Sequence, residues 1–177
     1  QRGQHGTRQD TPHAAALHGE RDAGSVALGH HLVTADADGK ALIVISSTVT
    51  ANNVGDKFKF VPVPVVSWEP EVFDNFGMTG VTLNTHYGTT STTQTQLDIA
   101  TASHAMAAGL SGTVTVTTTA TNFTWGSPNV NAVKVATVTS DAAKSVIFGY
   151  ESGVTMIGMD APARRVGLFM TDLTTNG

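Results

Sequence analysis

Two short apolar runs, "ALIVISS" at residues 41–47 and "VPVPVVSWE" at residues 61–69, constrain the fold more than any other feature of the chain. Both are β-branched and nearly continuous rather than alternating, the pattern of strands buried on both faces in a parallel sheet. Between them, "TVTANNVGDKFKF" offers Thr50 or Asn52 as a helix N-cap and sets Val54 and Phe58 on one helical face. A short helix is therefore expected there, and strand, helix and strand make a βαβ unit with a right-handed crossover. The second run stops at Trp68-Glu69-Pro70. Proline lacks an N–H and suits the first turn of a helix, so Trp68 and Glu69 should fall at the carboxyl end of the strand. Ser46, Ser47 and Thr48 should share that sheet edge, which is where open α/β sheets bind their ligands.

A chain of 177 residues suits a single domain able to bury a sizeable core. Only 14% of its residues are charged, against 40% hydrophobic. Thr, Ser, Asn and Gln must then supply much of the surface, a balance closer to extracellular bacterial proteins than to cytosolic ones. The net charge is −4 and the basic residues are scattered, so no stripe exists to neutralise a row of phosphates, and nucleic acid is not an expected partner. The absence of cysteine removes disulfides, thiolate metal sites and cysteine nucleophiles together. No apolar run reaches the roughly 20 residues of a membrane-spanning helix, and the opening residues lack the basic-then-apolar order of a signal peptide. The expectation is an exported bacterial protein whose signal lies outside this chain.

Residues 1–31 differ from everything after them, holding five of the seven histidines and three of the five arginines. They read as an atypical N-terminal segment, polar or non-native, with one helical stretch over residues 14–22. Residues 32–177 read as one domain. Its second half is rich in strands: "TQTQLDIAT", "TVTVTTTATNFTW", "NAVKVATVTS", "AKSVIFGYESG", "VTMIGM" and "RRVGLFMTD" all have β propensity and are separated by turn signals. "SHAMAAGLSG" reads as a short turn or helix stopped by glycine.

The order of "ALIVISSTV", "VPVVSWEP", "LDIATASHAMAAGLSG", "NAVKVATV", "SVIFGYESG" and "APARRVGLF" resembles the class I glutamine amidotransferase-like superfamily, especially its trehalose-utilisation-type bacterial extracellular branch. The resemblance spans about residues 32–175. It implies an α/β, flavodoxin-like, doubly wound and mainly parallel sheet with a β-rich C-terminal extension, and no particular substrate. Two departures matter. The family's opening strand has no recognisable counterpart in residues 1–31. The elbow that would carry the family's cysteine reads Ser67-Trp68-Glu69, which excludes glutamine hydrolysis by a cysteine.

Candidate site residues follow from placement. Glu69 could serve as general base or hydroxyl acceptor, or simply as a carboxylate at the positive end of a helix. His104, with an unperturbed pKa near neutrality, and the strand-end Ser47 complete a catalytic set. Its competing role for His104 is to hydrogen-bond a tight turn. Trp68 offers an indole for stacking on a sugar ring, with Ser46, His86 and Tyr87 as further binding candidates. Arg164 and Arg165 read as anchors of the last strand or of a carboxylate rather than as phosphate ligands. "DADG" at residues 36–39 is too short for a calcium loop and lacks the distal Glu, so no cofactor is expected, a divalent cation such as calcium being the one alternative left open.

The function expected from these residues is a non-catalytic binding or accessory module of a secreted bacterial protein, holding a small molecule or carbohydrate at the carboxyl edge of the sheet. Two alternatives stand beside it. One is a small hydrolase of an ester, lactone or glycoside using Glu69 with His104, His86 or a strand-end serine. The other is a structural domain that forms homo-oligomers.

Overall fold

The computed structural model describes residues 32–172 and Thr174. The expected helical stretch and the histidine-rich segment at residues 1–31 lie outside the described residues. In chain order the elements are β1 (Ile43–Ile45), α1 (Ala51–Val54), β2 (Val65–Ser67), α2 (Pro70–Asn75), β3 (Tyr87–Thr89), β4 (Gln96–Ile99), β5 (Gly112–Thr115), β6 (Thr124–Gly126), β7 (Val133–Val138), β8 (Asp141–Tyr150) and β9 (Arg165–Gly167). Short 3-10 turns lie at Thr34–Ala37 and Ala105–Ala107.

The nine strands of the described residues join one sheet in the order β1-β2-β9-β8-β7-β4-β5, with β3 paired to β6 and β6 to β8. The expected βαβ unit is present: β1 and β2 are parallel neighbours, Ile43 opposite Val65 and Ile45 opposite Ser67, with α1 in the connection. Strand β9 then adds to β2 in parallel, and every other pairing is antiparallel.

This arrangement corrects the expectation of a flavodoxin-like, doubly wound fold. A doubly wound sheet needs helices on both faces, and here α1 has four residues and α2 six. The threonine-rich, period-two segments that follow α2 have no helical periodicity to offer, so they pair as hairpins and antiparallel ladders. The β-rich portion is also not a C-terminal extension. It is inserted between α2 and β9, and the chain's last strand returns to the parallel part of the sheet.

Helices α1 and α2 lie on the same face, where Val54, Val72, Phe73 and Phe76 share a core with Ile45, Val65, Phe148 and Tyr150. Phe73 meets Phe148 edge-on, with centroids 5.2 Å apart, a favoured aromatic geometry. Burial of strand β1 on both faces, expected from its apolar run, is accordingly not found: Ile45 is 3% exposed but Val44 is 55% exposed. A second core, formed by Leu97, Phe123, Trp125, Ala136, Val138 and Val146, belongs to the antiparallel part. The expected strand at "VTMIGM" is instead a tight turn closed by a single bridge between Thr155 and Asp160, with Gly158 in the left-handed region.

The proline-rich approach to β2 is held by Arg165. Its side chain is fully buried, and its guanidinium donates to the carbonyls of Val61 and Val63 at 2.9 Å and of Lys59 at 3.2 Å. Pro62 and Pro64 cannot donate to a sheet ladder, and the carbonyls around them find their partner in a side chain with five fixed N–H groups. The anchoring role read for the arginine pair thus takes two forms, since Arg164 pairs with Glu151 on the surface at 2.9 Å.

Candidate functional site

The three parallel strands end on one edge of the sheet. There the segments that follow them, Ser47 after β1, Glu69 after β2 and Thr171-Asp172 after β9, form one side of an open cleft of about 510 Å³. Leu83, Asn84, Gly88, Thr89, Asn122 and Thr124, from the inserted β portion, also line it. Glu69 and Ser47 meet in one cavity as the strand-end argument requires.

Local geometry fixes Glu69 tightly. It is the N-cap of α2, with Pro70 in the first helical position, and its Oε1 accepts from the Glu71 N–H at 3.2 Å. Its own N–H donates to Ser67 Oγ at 3.1 Å. A helix cap and a cleft wall are therefore one residue here. Glu69 is 8% exposed, and burial pushes its pKa from 4.5 up to about 7, with the charges of Glu71 and Asp172 adding to the rise against the opposing hydrogen bond from Glu71. Desolvation disfavours the charged form of a carboxyl group, so near neutrality Glu69 can either donate or accept a hydrogen bond.

Ser47 Oγ donates to the Asp172 carboxylate. Opposite, Asn84 adopts a left-handed backbone (φ 61°), a conformation asparagine tolerates better than most residues. Its Oδ1 lies so close to Gly88 that a Cβ there would be 3.1 Å away. Asn122 is held by a hydrogen bond from its side-chain amide to the Thr90 carbonyl. Thr124 Oγ1, in the cleft lining, donates to the carbonyls of Trp68 and Met170.

The other sequence candidates lie elsewhere or serve the fold. His104 caps the Ala105–Ala107 turn, its Nδ1 accepting from the Met106 N–H at 3.2 Å, and it does not line the cleft. His86 Nδ1 likewise accepts from the Thr82 N–H at 3.1 Å. Tyr87 is buried and its hydroxyl donates to Asp74 at 3.3 Å. Burial raises the Tyr87 pKa, and Asp74 raises it further. Ser46 accepts from the backbone and hydroxyl of Thr48, and neither it nor Trp68 is among the lining residues. In "DADG", the Asp36 carboxylate accepts from the Val33 N–H at 2.8 Å and so closes a turn. Among the described residues no three His, Asp or Glu side chains are grouped to hold a metal ion.

Asp172, Asn84 and Asn122 were not legible as site residues. A signal for Asp172 does exist: it follows a strand whose "RRVGLF" run matches the apolar pattern of the other two. That β9 lies beside β2 is a tertiary fact.

The assembled lining has a definite chemistry. Three carboxyl groups, Glu69, Glu71 and Asp172, stand with two amides and several hydroxyls, and among the described residues no lysine, arginine or histidine lines the cleft. Such a surface accepts and donates hydrogen bonds to hydroxyl groups and repels anions. The chain matches no family model, no curated protein and no solved structure.

Proposed function

We propose that this chain is a non-catalytic binding module of a secreted bacterial protein, taking a small polyhydroxylated ligand, neutral or cationic, in the cleft at the carboxyl edge of the sheet. The observation that carries this reading is the lining itself, which among the described residues combines carboxyl, amide and hydroxyl side chains with no basic one. Carboxylates and carboxamides are suited to sugar hydroxyls because each offers two directional acceptor positions or an acceptor beside a donor. Leu83 and Pro70 supply the apolar portion, as binding sites usually combine apolar walls with a few placed polar groups. The absence of cysteine fits a role without glutamine hydrolysis by a thiolate.

The test is calorimetric titration with neutral sugars, amino sugars and uronic acids. Neutral or amino sugars should bind to the wild type and more weakly to Asp172→Asn, and uronates should not bind. Preference for uronates would sink the reading.

One observation favours the hydrolase alternative. Ser47 Oγ already donates to a carboxylate, in the same cleft as a carboxyl group that is half protonated near neutrality. Asp172 would accept the Ser47 proton as Oγ attacks the carbonyl carbon of an ester or lactone, and protonated Glu69 would give its proton to the alkoxy oxygen as that C–O bond breaks. Water would then cleave the acyl-serine, giving a proton to Glu69 as Asp172 returns one to Ser47 Oγ. His104 and His86 take no part in this version. Turnover of p-nitrophenyl esters, lactones or glycosides that disappears in Ser47→Ala would establish it, and turnover unchanged in Ser47→Ala would end it.

A further inference from the structure

We infer that the free edge of strand β1 is a self-association surface, pairing with β1 of a second copy of this chain across a two-fold axis near Val44. Strand β1 ends the sheet order. Its inner edge is spent on β2: the Ile43 N–H donates to Pro64 at 2.9 Å, and the Ile45 carbonyl accepts from the Trp68 N–H at 3.1 Å. Backbone groups alternate along a strand, so the N–H and C=O of Val44 point away from β2. Among the described residues no strand pairs with them.

Natural sheets protect such edges with charges, prolines, bulges or a covering segment. The opposite end of this sheet has polar protection. There β5 presents exposed threonines, Thr113 bonded to Asp98 at 2.6 Å and Thr115 to Gln96 at 3.2 Å. Among the described residues, strand β1 has no charge, proline, bulge or covering segment, and its three-residue length is its one protection. Residues 41–50 contain no charge and no proline, and Leu42 and Val44 are 48% and 55% exposed. Among the described residues, one edge of the sheet is thus polar and the other apolar, a difference that lies in the side chains each edge strand presents.

The occupant that fits is a second copy. Set antiparallel about Val44, two β1 strands let each Val44 N–H meet the other's Val44 carbonyl, the reciprocal exchange of a hydrogen-bonded antiparallel pair. The same symmetry puts Val44 beside Val44, a β-branched cross-strand contact, with no like charges brought together. An isologous contact of this kind closes at two subunits. A foreign charged peptide would find no complementary charge along residues 41–50. The inference is independent of what the cleft binds.

Sedimentation of the whole chain over a wide range of concentration should show a monomer–dimer equilibrium. Val44→Lys should weaken the dimer by roughly tenfold or more, because it sets two like charges face to face. Val44→Pro should do the same while leaving the monomer folded, since proline is tolerated on an edge strand where the N–H faces solvent. Val130→Lys, at a loop position 92% exposed, should leave the dimer unchanged. Hydrogen exchange at the Val44 amide should slow as concentration rises. A wild type that stays monomeric overturns the inference, as does a dimer that survives both Val44 variants. A Val44 amide protected at every concentration in a monomer would also overturn it, by placing a segment of the same chain on that edge.

Discussion

The hydroxyl of Ser47 donates a hydrogen bond to the carboxylate of Asp172, joining the ends of the first and last strands across 125 residues of chain. The contact exists because β1 and β9 flank β2 in parallel, so that all three strands finish on one edge. Ser47→Ala should remove one of the interactions that hold the carboxylate. Thermal unfolding should shift little, by about 1 kcal/mol or less, because the pair sits at an open cleft. Ligand affinity should fall by about tenfold, readable by calorimetry as about 1.4 kcal/mol.

Glu69 should make the protein less stable as pH rises. Its folded pKa of about 7 lies above the ordinary 4.5, so between these values the folded state holds a proton that the unfolded state has released. Stability from this group is therefore fully present below about pH 4.5, declines through the interval, and is lost above about pH 7. Glu69→Gln keeps the capping oxygen and removes the titration. Denaturant unfolding should find Glu69→Gln close to the wild type at pH 5 and more stable by roughly 1–3 kcal/mol at pH 8. A flat difference across that range would contradict the burial of the carboxyl group.

Arg165 should be the most costly side chain to shorten. Arg165→Ala would leave the buried carbonyls of Val61 and Val63 without their donors, at roughly 3–5 kcal/mol by chemical denaturation. Burial lowers the Arg165 pKa to about 10, so the guanidinium stays charged at neutral pH and the wild-type contacts should not titrate there. Arg165→Lys restores the charge but not the planar fork, and should recover only part of the loss.

Gly167 and Gly126 approach the ring of Phe148 from two strands. A Cβ at Gly167 would lie 2.5 Å from the ring, and one at Gly126 would lie 2.7 Å from it. Phe148 is itself fully buried against Phe73 and has little freedom to withdraw. Gly167→Ala should therefore destabilise by roughly 1–3 kcal/mol through overpacking. Pairing it with Phe148→Leu should recover part of that loss, a coupling that a double-mutant cycle would measure.

What local physics decides was legible in the sequence. The β-branched runs fixed β1 and β2, and Pro70 fixed where β2 stops and where Glu69 must stand. The same rules found the short helix between the runs and the strand-rich character of the second half. Those outcomes depend on side-chain branching, a missing N–H and period-two alternation, all of which act over a few residues. Tertiary structure decided the rest. That β9 should return to β2, that the antiparallel strands form an insertion rather than an extension, and that only one face of β1 is covered all depend on pairings between segments far apart in sequence. His104 and His86 show the limit at single residues. Each imidazole could cap a turn or face a ligand, and in both cases a backbone N–H within four residues holds the ring nitrogen. Asp172 shows the converse: the apolar run before it marks a strand end but not which strand it lies beside, and it lines the cleft only because β9 lies next to β2. A strand's hydrogen bonds specify that it must pair but not with which partner, and the choice of partner is what brought these carboxyl groups together.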